Sequence, residues 1–268
     1  MIDPKKHTQL LNQVFRDWGD ERFLFWKYSE NPFGESIVEQ RIIDEEVVSI
    51  RYLMRWEMKS HKGKYNCFQA TDSATAVSQR GMGHFSHLTN EAINKIDDGF
   101  IFNFPNENSK GIYLKLGWKL ESVTKSFIAP TLNFFLPREL SFQSEILYTD
   151  WDNERLTWRL SNGKQYKRFT INQRVFVYKD RSFSSFVLAD IICTPVDMEI
   201  GDFKLFLSHL RKEGYVLFRY VGFGTRAELV IDKSLFFKCK VGRGVNLVSY
   251  NKPPQFSLRA EMIDTDYT

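Results

Sequence analysis

The stretch from residue 75 to residue 96 most constrains how this chain can fold. It begins as a strand-like segment, passes through the closely spaced Gly81 and Gly83, and continues with helical periodicity. Glycine has no Cβ, so the backbone at these two positions can adopt tight dihedral angles and approach a ligand closely. The free N–H groups at the start of the following helix predict an anion site. The apolar residues on one face of that helix are Phe85, Leu88, Ala92, Ile93 and Ile96.

A second pattern follows the short apolar strand at residues 100–104. Asn106 is expected to open a helix in which Ile112 and Leu116 face inward, with Tyr113 one residue away. Gly117 is a usual helix stop. Either pattern alone is common, but the two in this order, about 30 residues apart with a strand between them, favour a joint function.

Together these residues resemble the GCN5-related N-acetyltransferase (GNAT) superfamily over about residues 20–120. In that family a loop of the form Arg/Gln-x-x-Gly-x-Gly/Ala wraps the diphosphate of acetyl-coenzyme A. Phe85 departs from this pattern, because it stands where glycine or alanine is usual. The residues that match the loop are Arg80, Gly81, Met82 and Gly83, and those that match the second motif are Asn106, Ser109, Tyr113, Gly117 and Trp118.

The resemblance implies an N-acetyltransferase that moves an acetyl or other acyl group directly from acetyl-coenzyme A to an amine within a ternary complex. It places the Tyr113 phenol near the sulfur, where a general acid protonates the leaving thiolate. Asp72 is the candidate base, although it fits a turn cap equally well. The developing oxyanion is expected to meet the backbone N–H groups at about Ala74 to Ala76, where the small side chains suit the close approach of a thioester. The expected coenzyme contacts are Ala74, Thr75, Ala76, Arg80, Gly81, Met82, Gly83, His84, Phe85, Asn106 and Ser109.

The acceptor is expected to be a small molecule with a primary amine. The aromatic segment at residues 23–34 borders the acceptor pocket in enzymes of this kind, so Trp26, Tyr28 and Asn31 are candidate acceptor residues. Trp26 fits core filling at least as well. Nucleotide-linked amino sugars of surface polysaccharide pathways are an associated acceptor class.

The predicted fold is α+β, with two tandem GNAT-like units, each a mostly antiparallel twisted sheet flanked by helices. Their expected ranges are residues 1–135 for the catalytic domain and 140–268 for a degenerate copy. The order of elements after residue 150 repeats that of the first half. Leu156, Trp158 and Ser161 repeat Leu24, Trp26 and Ser29 at a constant offset. The second copy has one glycine, Gly201, before its corresponding helix, so we expect it to bind no coenzyme and to replace the second subunit of a dimer. This predicts a monomer, and a homodimer is also compatible.

Composition excludes several other kinds of partner, site and cellular location. The chain has 268 residues, 43% apolar, and a formal charge of +4 with acidic and basic residues interspersed, which argues against nucleic acid as the main partner. Three widely spaced cysteines predict neither disulfides nor a zinc site. No apolar run approaches the ~18 residues of a spanning helix, and the first residues carry no signal core, so we expect a cytoplasmic protein.

Two alternative functions remain open at this stage. Tandem GNAT-fold aminoacyl transferases that use charged tRNA share the duplication, but they usually lack the coenzyme loop, and no basic groove for RNA is visible. A non-catalytic acyl-coenzyme A sensor would keep the loop and lose turnover. Phe85 in the loop leaves room for this second alternative.

Overall fold

A computed structural model describes residues 3–132, 136–139, 145–235, 238–240 and 244–265. The helices are α1 (Pro4–Val14), α2 (Glu21–Tyr28), α3 (His84–Asn94), α4 (Glu107–Lys115), α5 (Asn153–Leu160), α6 (Ile200–Lys212) and α7 (Arg226–Lys233). The strands are β1 (Ile37–Ile43), β2 (Glu46–Ser60), β3 (Gly63–Thr75), β4 (Phe100–Asn103), β5 (Lys119–Val123), β6 (Lys125–Pro130), β7 (Ile146–Leu147), β8 (Lys167–Ile171), β9 (Arg174–Phe183), β10 (Phe186–Cys193), β11 (Leu217–Phe223), β12 (Cys239–Lys240), β13 (Asn246–Tyr250), β14 (Ser257–Leu258) and β15 (Ala260–Glu261).

The first sheet has the strand order β1-β2-β3-β4-β13-β5. Its neighbours are antiparallel except for β3 and β4, which run parallel. Successive side chains of a strand point to opposite faces, and in β2 both faces are buried. Tyr52, Met54 and Trp56 pack in the core that includes α1 and α2, whereas Leu53 packs with Ala92 of α3 on the other side. The sheet is therefore covered on both faces.

The second sheet has the order β12-β6-β11-β10-β9-β8 and contains one parallel pair, β10 and β11. The apolar face of α6 packs in its core with Phe203, Phe206 and Leu210. The predicted order of elements in this half is confirmed, as is the α+β class with two mostly antiparallel sheets flanked by helices.

The two halves exchange one strand each. Strand β6 leaves the first half and lies between β12 and β11 of the second sheet. Strand β13 leaves the second half and lies between β4 and β5 of the first sheet. The division into units at 1–135 and 140–268 stays a prediction, and β6 and β13 each belong to one unit by sequence and to the sheet of the other by pairing.

A pair of tryptophans joins the halves where the sequence repeat predicted equivalence. The indole rings of Trp26 and Trp158 stack with centroids 5.3 Å apart. Each Nε1 donates to the other residue's carbonyl oxygen at 3.0 Å. These reciprocal contacts between α2 and α5 are those expected across a pseudo-twofold axis.

The end of the chain fills the gap in the second sheet. Strands β10 and β11 pair only from Ala189 to Ile191, and β15 pairs with the far end of β11. Glu261 accepts from the Thr194 amide at 2.9 Å and from the Tyr220 hydroxyl at 2.8 Å, so it bridges the two strand ends. The opening between β10 and β11 is thus occupied by this later segment of the chain.

The aromatic segment after residue 20 begins as the helix α2, in which the Asp20 side chain caps the N-terminus by accepting from the Phe23 amide at 2.8 Å. The prediction that Ile112 faces inward is wrong: it is 38% exposed, because the buried face of α4 is centred on Tyr113. Within the residues that the structure describes, no helix has the length and apolar character needed to cross a membrane.

Candidate active site

The candidate site is a groove that opens where the two parallel strands of the first sheet separate. Strands β3 and β4 pair only through Cys67, Phe68 and Gln69. Beyond Gln69, β3 continues to Thr75 without β4 beside it. The resulting cavity measures about 1070 Å³ and is lined by residues of β2, β3, α3, α4 and the loop after β3.

A β-bulge lies beside this opening. Tyr52 pairs with Thr71 and Ile50 pairs with Ala74, so Asp72 and Ser73 together oppose the single residue Arg51. Asp72 has a positive φ of 36°, which few residues other than glycine adopt. Bulges of this kind redirect side chains and often lie near functional sites. Asp72 and Ser73 both line the groove.

The glycine loop forms the other end of the groove. Gly81 and Gly83 have φ values of 83° and 78°, and Gly83 is the N-cap of α3. A Cβ at either position would meet nothing within 4 Å, so the requirement for glycine comes from the backbone conformation alone. No side chain caps α3, and its first amides are therefore available to an anion. Arg80 is exposed, and its Nε donates to the Thr75 carbonyl at 3.4 Å.

The second motif forms the opposite wall. Asn106 caps α4 by accepting from the Ser109 amide at 3.0 Å, as the sequence predicts. Tyr113 is 2% exposed, and its ring packs edge-on against Trp118 and Phe85 at centroid distances of 4.6 Å and 5.5 Å. Its hydroxyl has no hydrogen-bond partner among the described residues. Tyr113 is one of the residues that line the groove.

Asp72 is held by three neighbours. Its Oδ1 accepts from Trp18 Nε1 at 2.8 Å, and its Oδ2 accepts from the Tyr28 hydroxyl. The ammonium of Lys27 lies 2.7 Å from the same Oδ2, and both side chains of this ion pair are almost fully buried. Tyr28 also bonds the Thr71 hydroxyl at 2.9 Å. These contacts fix the carboxylate at the boundary of two cavities.

The second cavity measures about 730 Å³ and shares Trp18 and Asp72 with the groove. Both halves of the chain line it. The first half contributes carboxylates and aromatic rings, and the second half contributes polar and basic groups. The pKa of Lys164 is lowered, chiefly by burial and then by the nearby cations Lys179, Arg159 and Lys27. The remaining lining residues are Asn12, Asp17, Gly19, Asp20, Phe23, Trp26 and Asn162.

Most of the predicted coenzyme residues come together in the groove. It is lined by Thr75, Arg80, Gly81, Gly83, His84, Phe85, Asn106 and Ser109. Met82 is 63% exposed and is not part of the lining. Ala74 is buried in the core on the other face of the sheet. The Ala76 amide already donates to the Val48 carbonyl at 2.9 Å, so the expectation that this amide meets the oxyanion is wrong.

Of the three predicted acceptor residues, two lie at or beside the second cavity and one does not. Trp26 lines the second cavity, and Tyr28 reaches the site through Asp72. Asn31 is 6% exposed and lines neither cavity. Its side chain donates to the Arg55 carbonyl and accepts from the Phe33 amide, which are the contacts of a turn. The position of Asn31 therefore gives no support to the predicted contact with a substrate.

The lining residues that sequence reasoning did not anticipate include Arg51, Trp18, Lys27 and Arg159. One signal was available for Arg51, because a basic residue inside the mostly apolar run Val47–Met54 is unusual for a strand buried on both faces. The others reach the site through tertiary packing, which local sequence patterns do not encode. Among the described residues there is no cluster of three or more metal-ligating side chains.

Comparison with known proteins agrees with this geometry. A family model described as an acetyltransferase (GNAT) domain matches residues 3–120. Residues 3–120 form a GNAT acetyltransferase domain. The resemblance of the two motifs to the GNAT superfamily is therefore confirmed over residues 3–120, the part of the chain that carries both of them. No curated protein matches the chain by sequence.

Several solved structures share the fold over most of this chain. A GCN5-related N-acetyltransferase from Kribbella flavida is 11% identical with a TM-score of 0.65, covering 92% of this chain and 70% of that one. A probable N-acyltransferase of unknown function from Enterococcus faecalis is 11% identical with a TM-score of 0.68, covering 92% and 69%. Eis1 from Mycobacterium abscessus is 9% identical with a TM-score of 0.65, covering 92% and 72%. At these identities the likeness shows the fold, with both GNAT-like halves included.

Proposed function

We propose that this protein transfers an acyl group from acetyl-coenzyme A, or a related acyl-coenzyme A, to the primary amine of a small molecule. The observation that carries the proposal is the single groove that brings the glycine loop, the β3–β4 opening and Tyr113 together. A coenzyme thioester needs an anion site at one end and a gap in the sheet at the other. The groove offers both.

The diphosphate would bind the amides that begin α3, with Gly81 and Gly83 providing the close approach and Arg80 adding positive charge. The thioester would lie against the unpaired edge of β3 at residues 70–73, beside the bulge. Backbone groups fixed at this edge would meet the developing oxyanion without reorganisation. This location replaces the one expected at Ala74–Ala76, where the amide of Ala76 is already bonded.

In the transfer step the amine nitrogen forms a bond to the thioester carbonyl, and the carbon–sulfur bond breaks as the tetrahedral intermediate collapses. Tyr113 would donate a proton to the departing thiolate, because its phenol lines the groove and has no other partner in the described chain. The amine proton would leave through Asp72 and solvent. Asp72 is the acidic residue that faces both the groove and the second cavity.

The second cavity is the proposed acceptor site. Asp17 and Asp20 line it and carry exposed carboxylates that attract an ammonium group, and Trp18, Phe23 and Trp26 present ring surface. The side chains of Arg159 and Asn162 complete the wall from the second half. The acceptor class is a small amine, with nucleotide-linked amino sugars as the first candidates.

Calorimetric titration with acetyl-coenzyme A tests the coenzyme assignment. We expect micromolar binding that Gly83→Trp removes, because an indole at the N-cap would occupy the diphosphate site. Gly214→Trp is the matched control: Gly214 has a φ of 91°, is exposed, and has nothing within 4 Å of its Cβ position, but it lies in the second half, outside the groove. Absence of heat with the unaltered protein, or equal loss in both variants, would overturn the assignment.

Thiol release in the presence of nucleotide amino sugars, polyamines and amino acids then tests turnover. Release that depends on an added amine supports the transferase. Binding of the coenzyme without release for any amine in the panel would instead favour the sensor.

A further inference from the structure

Arg51 is a buried cation that the proposed mechanism does not use. It lies in β2 opposite the bulge, is 1% exposed and lines the groove. Its Nη1 donates to the Ser73 hydroxyl. Its Nε and Nη2 make no hydrogen bond to any residue that the structure describes, although both atoms are buried. Buried guanidinium groups normally have their charge compensated by a carboxylate or another anion.

The protein compensates this charge only in part. The guanidinium carbon lies 5.3 Å from the ring centroid of Phe85 and 5.3 Å from that of Tyr113, so the ring faces give some cation–π stabilisation. Two acidic residues are neighbours of Arg51 in the sheet, and each is paired with a lysine: Glu39, opposite Arg51 in β1, with Lys95, and Asp72, in the bulge, with Lys27. Phe85 stands where the GNAT loop usually has glycine or alanine, and its ring is one of the two that hold Arg51 at the groove.

The place of Arg51 along the groove limits which anion it can bind. Of its three contacts, Ser73 and the Tyr113 ring lie at the end where the strands separate and the thioester is expected, and the Phe85 ring lies just beyond the loop of residues 80–84. The diphosphate end is formed by residues 80–84. At the thioester end, coenzyme A itself has no charge. An anion there must belong to the acyl group.

Two other ligands fit less well. Arg51 is not part of the lining of the acceptor cavity, which argues against a carboxylate of the acceptor. A transient oxyanion would leave the guanidinium uncompensated whenever the donor is bound in its ground state. A carboxylate of the donor pairs with it throughout and matches the planar guanidinium through two hydrogen bonds.

We propose that Arg51 binds a carboxylate at the far end of the acyl group, so that the preferred donor is a short dicarboxylic acyl thioester such as malonyl- or succinyl-coenzyme A. This rests on the proposed function and specifies its donor. The bonds made and broken in the transfer are unchanged. The acyl group leaves the sulfur for the amine nitrogen, and its distal carboxylate stays ionised on Arg51.

Calorimetry with two matched pairs of thioesters tests the proposal without requiring a known acceptor. Malonyl-coenzyme A is compared with propionyl-coenzyme A, and succinyl- with butyryl-coenzyme A, so that each pair differs in the terminal carboxylate. The carboxylated member is expected to bind about 10- to 100-fold more tightly, as for a hydrogen-bonded charge pair. Arg51→Met is expected to abolish this difference and to leave the affinity for free coenzyme A unchanged.

Arg55→Met is the control. Arg55 lies four residues along the same strand, and its guanidinium lies 4.9 Å from the Phe68 ring centroid, but it does not line the groove. Melting curves show whether the Arg51→Met variant folds. If it does not fold, Arg51→Gln is used instead, because it removes the charge and keeps a donor for Ser73.

Equal affinities within each pair, or a preference that survives loss of the charge, would overturn the proposal. So would weaker binding of free coenzyme A by Arg51→Met, which would mean that Arg51 contacts the coenzyme body. A variant that slows turnover equally with every donor, without changing ground-state affinity, would assign Arg51 to the oxyanion instead. If free coenzyme A does not bind the unaltered protein, the proposed function itself fails, and this outcome is distinct from the others.

Discussion

Replacing Tyr113 with phenylalanine separates catalysis from binding at this site. The ring is 2% exposed and packs against Trp118 and Phe85, and phenylalanine keeps those contacts. The hydroxyl has no hydrogen-bond partner among the described residues, so its removal leaves no protein group unsatisfied. We therefore expect the free energy of unfolding to change by less than about 1 kcal/mol.

The effect on turnover should be much larger. A positioned general acid contributes about 10²- to 10⁴-fold to rate, which corresponds to about 3–5 kcal/mol of transition-state stabilisation. Because the thiolate needs the proton only as the intermediate collapses, the loss should fall on kcat, with little change in coenzyme affinity. The assay is thiol release at saturating donor with the best acceptor from the amine panel, paired with calorimetry on coenzyme A.

Tyr250→Phe is a suitable control for this experiment. Tyr250 packs against the same Trp118 at a centroid distance of 5.9 Å, but it lies in β13 and does not line the groove. Its kcat should match that of the unaltered protein. If Tyr113→Phe keeps kcat within about threefold, the general-acid assignment is wrong, since that is far below the smallest contribution expected of such a group.

Two further predictions concern buried carboxylates. Asp72→Asn removes the buried ion pair with Lys27 and should lower the free energy of unfolding by up to about 3 kcal/mol in chemical denaturation; an unchanged midpoint would contradict this. Burial raises the pKa of Asp264 from 3.8 to about 6. The folded state therefore binds the carboxyl proton more tightly than the unfolded state does. The stability that this protonated group contributes is lost as the pH rises through that interval. Asp264→Asn should therefore gain up to about 3 kcal/mol relative to the unaltered protein between pH 4 and pH 7, and parallel stability curves would refute the assignment.

The local features of the site could be predicted from the sequence because the signals are local. The positive φ of Gly81 and Gly83, the cap formed by Asn106 and the inward face of α3 each depend on residues a few positions apart. The same reasoning placed Ile112 on the wrong face. Strong apolar periodicity was absent in this short helix, and the large ring of Tyr113 takes the buried position.

The features that were missed depend on contacts distant in sequence. Asn31 was assigned to the acceptor because it follows an aromatic segment, but its amide completes a turn against the Arg55 carbonyl. The amides at Ala74–Ala76 were assigned to the oxyanion because the strand ends there. The edge of β3 that faces β4 is unpaired from Ala70 onward, because the pairing of β3 with β4 ends at Gln69, and neither this end nor the bulge opposite Arg51 leaves a clear mark in sequence.

The candidate site in the first half depends on contacts from the second half. The segment that fills the gap between β10 and β11 also contacts both cavities. The Asp264 carbonyl accepts a hydrogen bond from the side chain of Gln69 at 2.9 Å. Gln69 lines the groove at the point where β3 and β4 separate. The Ile263 carbonyl accepts a hydrogen bond from Arg159 at 2.9 Å. Arg159 lines the second cavity. This segment therefore supports the walls of both cavities. The exchange of β6 and β13 also links the two halves, since the first sheet is incomplete without a strand from the second half. The geometry of the candidate site is therefore fixed by both halves of the chain.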